Sequence, residues 1–422
     1  MNRRDILKSS LAGTAGLAAS MAGGSAAAMP ELGRYGKRLV NVIDLGAVPD
    51  GVTDSAQAFQ KAIDALTSTG GIVYIPAGNY VIGSTLIWAN PVNRRVSGIL
   101  FQGDGQHTST LNSRVKSGPL LRVRGVPRVG PVSTTFFWGG GIHDLGLRGS
   151  GGGADHDAVE ILGWWNGSIE NCLISGFSRH GIRAITDLAL NPNPDFTAST
   201  LLVKAVQIER CGGWGFRDDS GNQGAPSWSW DHCLFGLCRL GGAYVQSSSH
   251  SFVKCSFSAC GWRHESDKPA AAAYGLFFAG TMTVASRQWV EGCEFDTNLT
   301  AHIGARFLCC SSFINNRFIF HDRYKAGRLC PLAGVELGTG DARAAIRSVE
   351  FRQSFFRFDR GGETTGFLWA NTVNVRDIEI INTVFSNSVG GDLHLSRYGG
   401  MELSRTASDF GYNIRDRELS GL

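Results

Sequence analysis

The sequence lacks a strong excess of charge of either sign. Its 422 residues include 40 lysines and arginines and 36 aspartates and glutamates, for a formal net charge of +4. A balance this even argues against nucleic-acid binding, so any acidic ligand must be recognised by a local group of cations. Nucleotide, flavin and haem motifs are also missing. Composition therefore points to no cofactor and to no nucleic-acid partner.

Beyond the first 28 residues the sequence also lacks a long apolar run. Residues 2–8 read NRRDILK, and an Ala/Gly/Leu-rich stretch to Gly24 and a small-residue site at 25–28 follow. This segment resembles a twin-arginine export signal, and glycine and serine interrupt it too often to predict a membrane anchor. We expect residues 1–28 to be a signal peptide and the mature chain to be periplasmic or secreted, with no membrane span.

The ten cysteines include no C-x-x-C pair, which argues against a metal site. Cysteines in an exported protein ordinarily form disulfides. The resemblance to a twin-arginine signal, however, implies export of a chain already folded in a reducing cytoplasm, and half of the cysteines fall in one repeated position. We therefore expect mostly buried free thiols, with disulfides as the alternative.

That repeated position belongs to a short pattern: a hydrophobic residue, two spacers, Cys or Asn, a spacer and a hydrophobic residue. Clear copies lie at 169–174, 230–235, 252–257, 290–295 and 313–318. A unit of about 22 residues that holds two or three strands and no helix cannot bury its own apolar side, so such units must stack. The repeat predicts an all-β fold, a right-handed parallel β-helix (solenoid) over residues 38–398, with a polar C-terminal tail at 399–422. The stacked positions would form one internal ladder: Cys172, Cys211, Cys233, Cys255, Cys293 and Asn316.

A second repeated strand follows each copy of the pattern and is usually opened by glycine. Its copies lie at 158–161, 181–184, 215–218, 242–245, 275–278, 302–305, 334–337 and 366–369. Because side chains alternate between the two faces of a strand, the third residue of each copy should point outward. These residues should share one outer face: Glu160, Arg183, Arg217, Tyr244, Phe277 and Glu336.

The segment 41–82 contains the densest group of specific residues in the chain. It reads D-x-G-A at 44–47, D-G-x-x-D at 50–54 and G-G-x-V-Y-I-P-x-G-x-Y at 70–80, with Phe59, Ile63 and Leu66 at helical spacing between them. This segment resembles the N-terminal module of the pectate-lyase superfamily, which has rhamnogalacturonase-like and epimerase-like members. The resemblance implies a parallel β-helix with an N-terminal capping helix and a carbohydrate-active protein. It does not fix one reaction, because the family contains lyases, hydrolases and epimerases.

Proteins resembling this family use the outer face of one parallel sheet as a sugar cleft. Arg183 and Arg217 on successive rungs, about 5 Å apart, could bind uronate carboxylates through bidentate forks. In a β-elimination one arginine would neutralise the carboxylate, and His180 or Tyr244 would abstract the proton beside it. We therefore favour, by a small margin, a polysaccharide lyase acting on an acidic polysaccharide.

Further residues extend this hypothesis and its alternatives. Trp165 and Trp214 are candidate platforms for sugar rings, and Glu336 is a third candidate substrate-binding residue. A hydrolase would instead need two carboxylates about 5 Å or about 6.5–9.5 Å apart; Glu160 and Asp219 lie two rungs apart, roughly 10 Å. Glu160 and Arg183 could also be a plain ion pair.

Two other kinds of function stay open at this point. Uronate epimerisation would use similar groups without shortening the polymer, and a non-catalytic polysaccharide-binding or envelope scaffold would need no acid or base. A complete set of polygalacturonase motifs is missing, which argues against that group of hydrolases. A calcium requirement and the oligomeric state are also left open.

Overall fold

The fold consists of three columns of parallel strands, and the chain adds one strand to each column in succession as it coils. The computed structural model describes residues 38–89, 96–125, 137–150, 153, 155–185, 199–220, 227–261, 273–280, 287–320, 333–337, 345–358, 366–370, 375–381, 384–387 and 403–404. We name the columns sheets A, B and C, with 13, 12 and 10 strands in this part of the chain. The described residues from Leu39 onward belong to one compact unit.

Sheet A contains the strands that begin each repeat. They are β1 (Leu39–Asn41), β3 (Gly71–Ile75), β7 (Ile99–Gly103), β11 (Gly141–His143), β15 (Ser168–Glu170), β18 (Leu202–Lys204), β21 (Ser229–Asp231), β24 (Ser251–Val253), β27 (Trp289–Glu291), β30 (Phe307–Ile314), β33 (Ala345–Arg352), β36 (Val375–Ile381) and β38 (Leu403–Ser404).

Sheet B follows sheet A after a corner that has two residues in most turns. Its strands are β2 (Asp50–Asp54), β4 (Gly78–Ile82), β8 (Ser109–Ser113), β12 (Gly146–Gly149), β16 (Leu173–Ser175), β19 (Gln207–Glu209), β22 (Leu234–Gly236), β25 (Ser256–Ser258), β28 (Glu294–Asp296), β31 (Arg317–Phe320), β34 (Phe355–Phe358) and β37 (Val384–Asn387).

Sheet C closes each turn, and a small fourth sheet, D, lies beside the early turns. The strands of sheet C are β5 (Leu86–Ala89), β9 (Leu121–Arg124), β13 (Val159–Leu162), β17 (Ile182–Ile185), β20 (Trp214–Asp219), β23 (Gly241–Val245), β26 (Tyr274–Phe278), β29 (Ala301–Ala305), β32 (Ala333–Leu337) and β35 (Gly366–Ala370). Those of sheet D are β6 (Val96–Ser97), β10 (Phe137–Trp138) and β14 (Trp164–Trp165).

Stacked hydrophobic side chains fill the interior between the sheets. In sheet A, Trp230 pairs with Phe252 of the next turn, and their rings stack 5.8 Å apart with 10° between the planes. In sheet B, Phe257 stacks on Phe235 at 4.8 Å and on Phe295 at 4.9 Å. The two sheet B distances match the strand spacing of a parallel sheet. The predicted parallel β-helix is therefore confirmed, with the repeated hydrophobic residues forming its core.

A residue with positive φ turns the chain from sheet A to sheet B, and a small buried residue follows it. Asn171, for example, has φ 51°. The buried Cys172 that follows donates its thiol hydrogen to the carbonyl of Ile142 one turn earlier, at 3.3 Å. Buried residues in the same position are Cys172, Cys233, Cys255, Cys293 and Asn316. Asn316 donates in the same way to the carbonyl of Val290, at 3.0 Å.

The assignment of Cys211 to this ladder was wrong. Cys211 follows strand β19 of sheet B and lies at the next corner, from sheet B to sheet C, after Arg210 with φ 53°. A second ladder of buried residues runs there: Cys211, Cys238, Cys260 and Asn298. Both corners use one left-handed residue followed by a small inward residue, so their local sequences look alike. The nine described cysteines are all free thiols.

Helix α1 (Ala56–Leu66) covers the N-terminal end, preceded by a short 3₁₀ helix, η1 (Ile43–Leu45). Phe59, Ile63 and Leu66 are fully buried, as their spacing predicted, and Phe59 packs edge-on against Tyr80 at 5.4 Å. The N-terminal capping helix is thus confirmed.

The two predicted terminal segments fall mostly outside the described residues. This applies to the signal at 1–28 and to the tail at 399–422, apart from β38, which pairs with β36 and so extends sheet A into the tail. In the part of the chain that the structure describes, we find no helix with the length and apolarity needed to cross a membrane.

Candidate functional site

The outer face of sheet C brings the predicted outward residues into one register. Along successive strands Glu160 pairs with Arg183, Arg183 with Arg217 and Arg217 with Tyr244. Tyr244 in turn pairs with Phe277. Their neighbours in each strand, such as Ile161, Ile182, Phe216 and Ala243, are buried inside the coil. The alternation of apolar and polar residues is what sends these side chains outward.

Five charged side chains on this face form a chain of ion pairs, which we call the charge ladder: Arg122, Glu160, Arg183, Asp219 and Arg217. Arg122 Nε donates to Glu160 Oε1 at 2.6 Å, and Glu160 Oε2 lies 3.7 Å from a terminal nitrogen of Arg183. Arg183 Nε donates to Asp219 Oδ2 at 2.9 Å, and Arg217 Nε donates to Asp219 Oδ1 at 2.6 Å. With three cations and two anions, the ladder carries one net positive charge.

Asp219 already occupies part of the two arginines that the sequence predicted to bind uronate carboxylates. Its two oxygens already accept from both arginines, so their Nε edges are occupied and an incoming carboxylate is left with the terminal nitrogens or must displace Asp219. Glu160 is only 6% exposed and sits between Arg122 and Arg183. Its arrangement is the ion pair that the sequence left as an alternative.

Sequence reasoning missed Arg122. It is the outward residue of Leu121–Arg124, paired directly with Glu160, and its neighbours Leu121 and Val123 are buried. The apolar-Arg-apolar pattern was the available signal, but this strand lacks the opening glycine that marks most other copies.

Beyond Arg217 the face becomes aromatic. The Arg217 guanidinium carbon lies 3.8 Å from the centre of the Tyr244 ring, a cation–π contact. Tyr244 stacks on Phe277 at 5.6 Å and packs against Trp214 at 5.2 Å. We call Trp214, Tyr244, Tyr274 and Phe277 the aromatic cluster.

Trp214 lies within this cluster rather than open to solvent. It is 6% exposed, and a Cβ added to Gly241 would lie 2.1 Å from its ring, so a glycine is required there to make room for the indole. In this structure Trp214 is not an open platform for a sugar ring. Its position at the start of β20, beside the arginines, is nevertheless on the predicted face.

His180 is buried at the edge of the charge ladder and is held in one neutral form. Its Nδ1 accepts a hydrogen bond from the backbone N–H of Trp214 at 2.9 Å. Burial, together with the nearby cations Arg217, Arg179 and Arg183, lowers the pKa of His180 to about 2. Neutral His180 therefore carries its hydrogen on Nε2 and has no free lone pair at Nδ1, which removes it as the proton-abstracting base in this geometry.

Asp157 and Arg179 hold His180 in place. Asp157 is fully buried and accepts from Arg179 Nε at 2.8 Å, from an Arg179 terminal nitrogen and from the His180 backbone N–H at 2.9 Å. Arg179 was not foreseen, because a charged residue in the loop before a strand gives no periodic signal. This pair supports the site without lying on its outer face.

The other two predicted substrate-binding residues lie apart from this group. Trp165 belongs to sheet D, where it stacks on Trp138 at 5.9 Å, and not to the outer face of sheet C. Glu336 continues the register, its backbone pairing with Gly304, but its side chain lies outside the described residues. Within the described part of the chain, no group of three or more His, Cys, Asp or Glu side chains is placed to hold a metal ion.

Comparison with known proteins identifies the N-terminal part of this coil. Residues 39–121 match the family described as rhamnogalacturonase A/epimerase, pectate lyase-like. The predicted resemblance is confirmed for that part of the chain, which runs from the first strand of sheet A to β9.

Individual relatives match a part of the chain. Mannuronan C5-epimerase AlgE1 of Azotobacter vinelandii is 27% identical over 179 residues, which is 42% of this chain and 10% of the relative. The match thus spans only about a tenth of that relative's length.

Solved structures extend the likeness to most of the coil. The A-module of mannuronan C-5 epimerase AlgE6 from A. vinelandii aligns with a TM-score of 0.52 at 15% identity, over 87% of this chain and 98% of that one. The Dettilon tailspike protein aligns with a TM-score of 0.54 at 13% identity, over 86% and 64%. At these identities the likeness shows the fold, a parallel β-helix, and not the reaction.

Proposed function

We propose that this protein acts on an acidic, uronate-containing polysaccharide along the outer face of sheet C, by abstracting the proton beside a uronate carboxylate. The observation that carries the proposal is the register of Arg183, Arg217 and Tyr244 on three adjacent strands, with Arg217 3.8 Å from the Tyr244 ring. The matches to a rhamnogalacturonase/epimerase family and to a mannuronan epimerase support a uronate substrate.

The chemistry assigns a role to each of these residues. A guanidinium group bound to the uronate carboxylate stabilises the negative charge that builds on it when the neighbouring proton leaves. With His180 occupied by Trp214, Tyr244 is the remaining predicted base, and its phenol oxygen accepts from the Gln246 side chain at 3.4 Å. Departure of the glycosidic oxygen, which takes up a proton as it leaves, would complete β-elimination, and return of a proton to the opposite side would complete epimerisation. We place elimination first.

Hydrolysis is less well supported by the geometry. Glu160 and Asp219 contact the same guanidinium group, that of Arg183, at 3.7 and 2.9 Å. Their facing oxygens are therefore at most about 9 Å apart, an upper bound that is compatible with either a retaining or an inverting hydrolase. Arg183 nevertheless fills the gap between them, where the glycosidic bond and a water molecule would have to lie.

Non-catalytic binding is a second candidate, and one specific feature favours it. Asp219 and Glu160 offset two of the three arginine charges in the charge ladder. A face of this kind could hold an acidic polymer without reacting with it.

Incubation of the purified full chain with a panel of uronate-containing polysaccharides, with and without calcium, tests the proposal. Three readouts are followed together: the ultraviolet absorbance of unsaturated uronate, reducing ends, and deuterium uptake into the sugar from heavy water. Absorbance rising with reducing ends supports elimination, and deuterium uptake without cleavage supports epimerisation. Reducing ends alone would show hydrolysis and contradict the proposal. Binding without any of the three would favour the second candidate.

Replacing Arg217 by glutamine tests the carboxylate-binding role. We expect Arg217→Gln to weaken binding of a uronate oligosaccharide by about tenfold or more, since a hydrogen bond to a charged group contributes about 1.5–3 kcal/mol. Isothermal titration calorimetry at low salt measures it. Arg317→Gln is the matched control, because Arg317 is an exposed arginine paired to Glu294 on sheet B, away from the face. Equal loss in both variants would show only a general charge effect.

A further inference from the structure

Cys309 and Cys310 differ from the other described cysteines in their access to solvent. Cys310 is exposed and Cys309 half-buried, and their sulfur atoms lie 3.3 Å apart. The remaining described cysteines are buried in the two internal ladders or beside them: Cys172, Cys211, Cys233, Cys238, Cys255, Cys260 and Cys293. Access to solvent largely decides which thiols react. Among the described cysteines, reaction with a soluble oxidant is therefore confined to this adjacent pair.

The backbone around the pair is fixed by the coil. The two residues lie in β30, where the chain passes from sheet C back to sheet A, and Cys310 has φ 48°. The carbonyl of Cys309 accepts from the backbone N–H of Arg287 and from the Ser311 hydroxyl, both at 2.9 Å. On the next turn Arg347 pairs with Cys309. These contacts fix the backbone of Cys309, and the 3.3 Å separation places the two sulfur atoms next to each other.

We propose that Cys309 and Cys310 form a reversible dithiol–disulfide site that reacts with small-molecule disulfides. The exposed Cys310 attacks one sulfur of the small disulfide, whose bond breaks to release one thiol and leave a mixed disulfide on Cys310. Cys309 then attacks the Cys310 sulfur and releases the second thiol. The protein loses two hydrogens and the small disulfide gains them, so the exchange balances without another oxidant.

The surroundings of the two thiols also indicate which of them makes the second attack. The short distance between neighbouring residues indicates how easily the disulfide is reduced. Burial and the contact with Cys310 raise the pKa of the Cys309 thiol, while Arg347 acts in the opposite direction, so Cys309 is suited to the second, intramolecular attack. Adjacent Cα atoms are about 3.8 Å apart, shorter than the roughly 4.4–6.8 Å of ordinary disulfides. A bond between neighbours is consequently strained and easily reduced, which fits a labile site rather than a structural crosslink.

Mass spectrometry of the native protein after treatment with oxidised glutathione tests this site. After alkylation and trypsin digestion, both cysteines fall in the peptide 307–317, which contains no other cysteine. We expect that peptide to carry no alkyl group and no glutathione, and to be lighter than the unmodified dithiol peptide by about 2 mass units. A reductant should return it to the dithiol form. Recovery of the peptide as fully alkylated dithiol, or as a stable glutathione adduct, would overturn the proposal.

Single variants distinguish the two sulfurs. Cys309→Ser should trap glutathione on Cys310, because nothing remains to release it, and Cys310→Ser should show at least a tenfold slower reaction at Cys309. An adduct that forms equally fast in both variants would overturn the assigned order. Peptides that carry the buried Cys233 provide the internal control. Oxidation there as well would show that the whole coil had opened, and would also overturn the site-specific proposal.

Discussion

Asp218 and Asp219 are consecutive residues of β20, yet they belong to two different regions of the molecule. Asp218 points into the coil, is 1% exposed, and accepts from the backbone N–H groups of Gln246 at 3.0 Å and Ser247 at 2.8 Å. Asp219 points outward and accepts from Arg183 and Arg217. The same type of side chain thus anchors a corner of the fold on one side of the strand and contributes to the charge of the candidate site on the other.

The interior carboxylate is the more completely satisfied of the two. The backbone N–H of Ser220 also donates to Asp218, at 3.0 Å, as do the hydroxyls of Ser220 and Ser247, and His250 Nε2 lies 3.7 Å away. Burial alone would raise the pKa of Asp218, but the interactions with His250, Ser220 and Ser247 outweigh it and hold that pKa below its usual range. An ionised carboxylate inside the coil therefore ties β20 to the following turn.

Asp218→Asn should have the largest effect on stability. The amide would point an N–H₂ group at donors that now surround an anion, so we expect the free energy of unfolding to fall by about 3 kcal/mol. Asp219→Asn, on the outer face, should cost about 1 kcal/mol or less. Thermal and urea unfolding of the two variants measure the contrast. Equal losses would mean that the interior carboxylate has no special role in the corner.

The difference in the free energy of unfolding between wild type and Asp218→Asn should also depend on pH, and the lowered pKa of Asp218 gives the direction. Because the folded-state pKa of Asp218 is lowered, its contribution is complete above the unfolded value of about 3.9 and is lost as pH falls below it. The stability gap between wild type and Asp218→Asn should therefore narrow only in acid, below about pH 4.

His180 gives a second test, at milder pH. Its folded pKa of about 2 lies far below the value of about 6.5 expected in the unfolded chain. The stability that it contributes is therefore full above about pH 6.5 and falls by roughly 1.4 kcal/mol for each pH unit below that. Against His180→Gln, whose amide oxygen can still accept from Trp214, the wild-type advantage should shrink by about 2 kcal/mol between pH 7.5 and pH 5. A constant difference across that range would contradict the buried neutral form.

The structural features that the sequence could predict are those that repeat along the chain. Glu160, Arg183, Arg217 and Tyr244 were assigned to one face because each occupies the third position of a periodic strand, and the parallel register keeps equivalent positions together. Cys211 was misplaced because two different corners use the same short pattern. Periodicity therefore locates a side chain on a face but does not distinguish chemically similar corners.

Periodicity could not predict which groups the residues of the outer face of sheet C contact. Asp219 lies one residue past the repeated strand, and its contacts with Arg183 and Arg217 depend on side-chain reach across two turns. The hydrogen bond that occupies His180 comes from the backbone of Trp214, 34 residues later. Such contacts depend on the folded coil, and no local pattern in the sequence marks them.

Asp219→Asn should have the smallest effect of these variants, and it tests whether Asp219 competes with the substrate carboxylate for Arg183 and Arg217. Replacing this carboxylate by an amide leaves three cations against one anion in the charge ladder, and only one oxygen remains to accept from the Nε groups of Arg183 and Arg217. We expect a uronate oligosaccharide to bind about fivefold more tightly, equivalent to about 1 kcal/mol, with the gain shrinking as salt screens the added charge. Calorimetric titration at two ionic strengths measures it. Weaker binding would mean that Asp219 instead holds the two guanidinium groups in the orientation that receives the substrate carboxylate; the arginines would then be a pre-organised fork, and Asp219 part of it rather than a competitor.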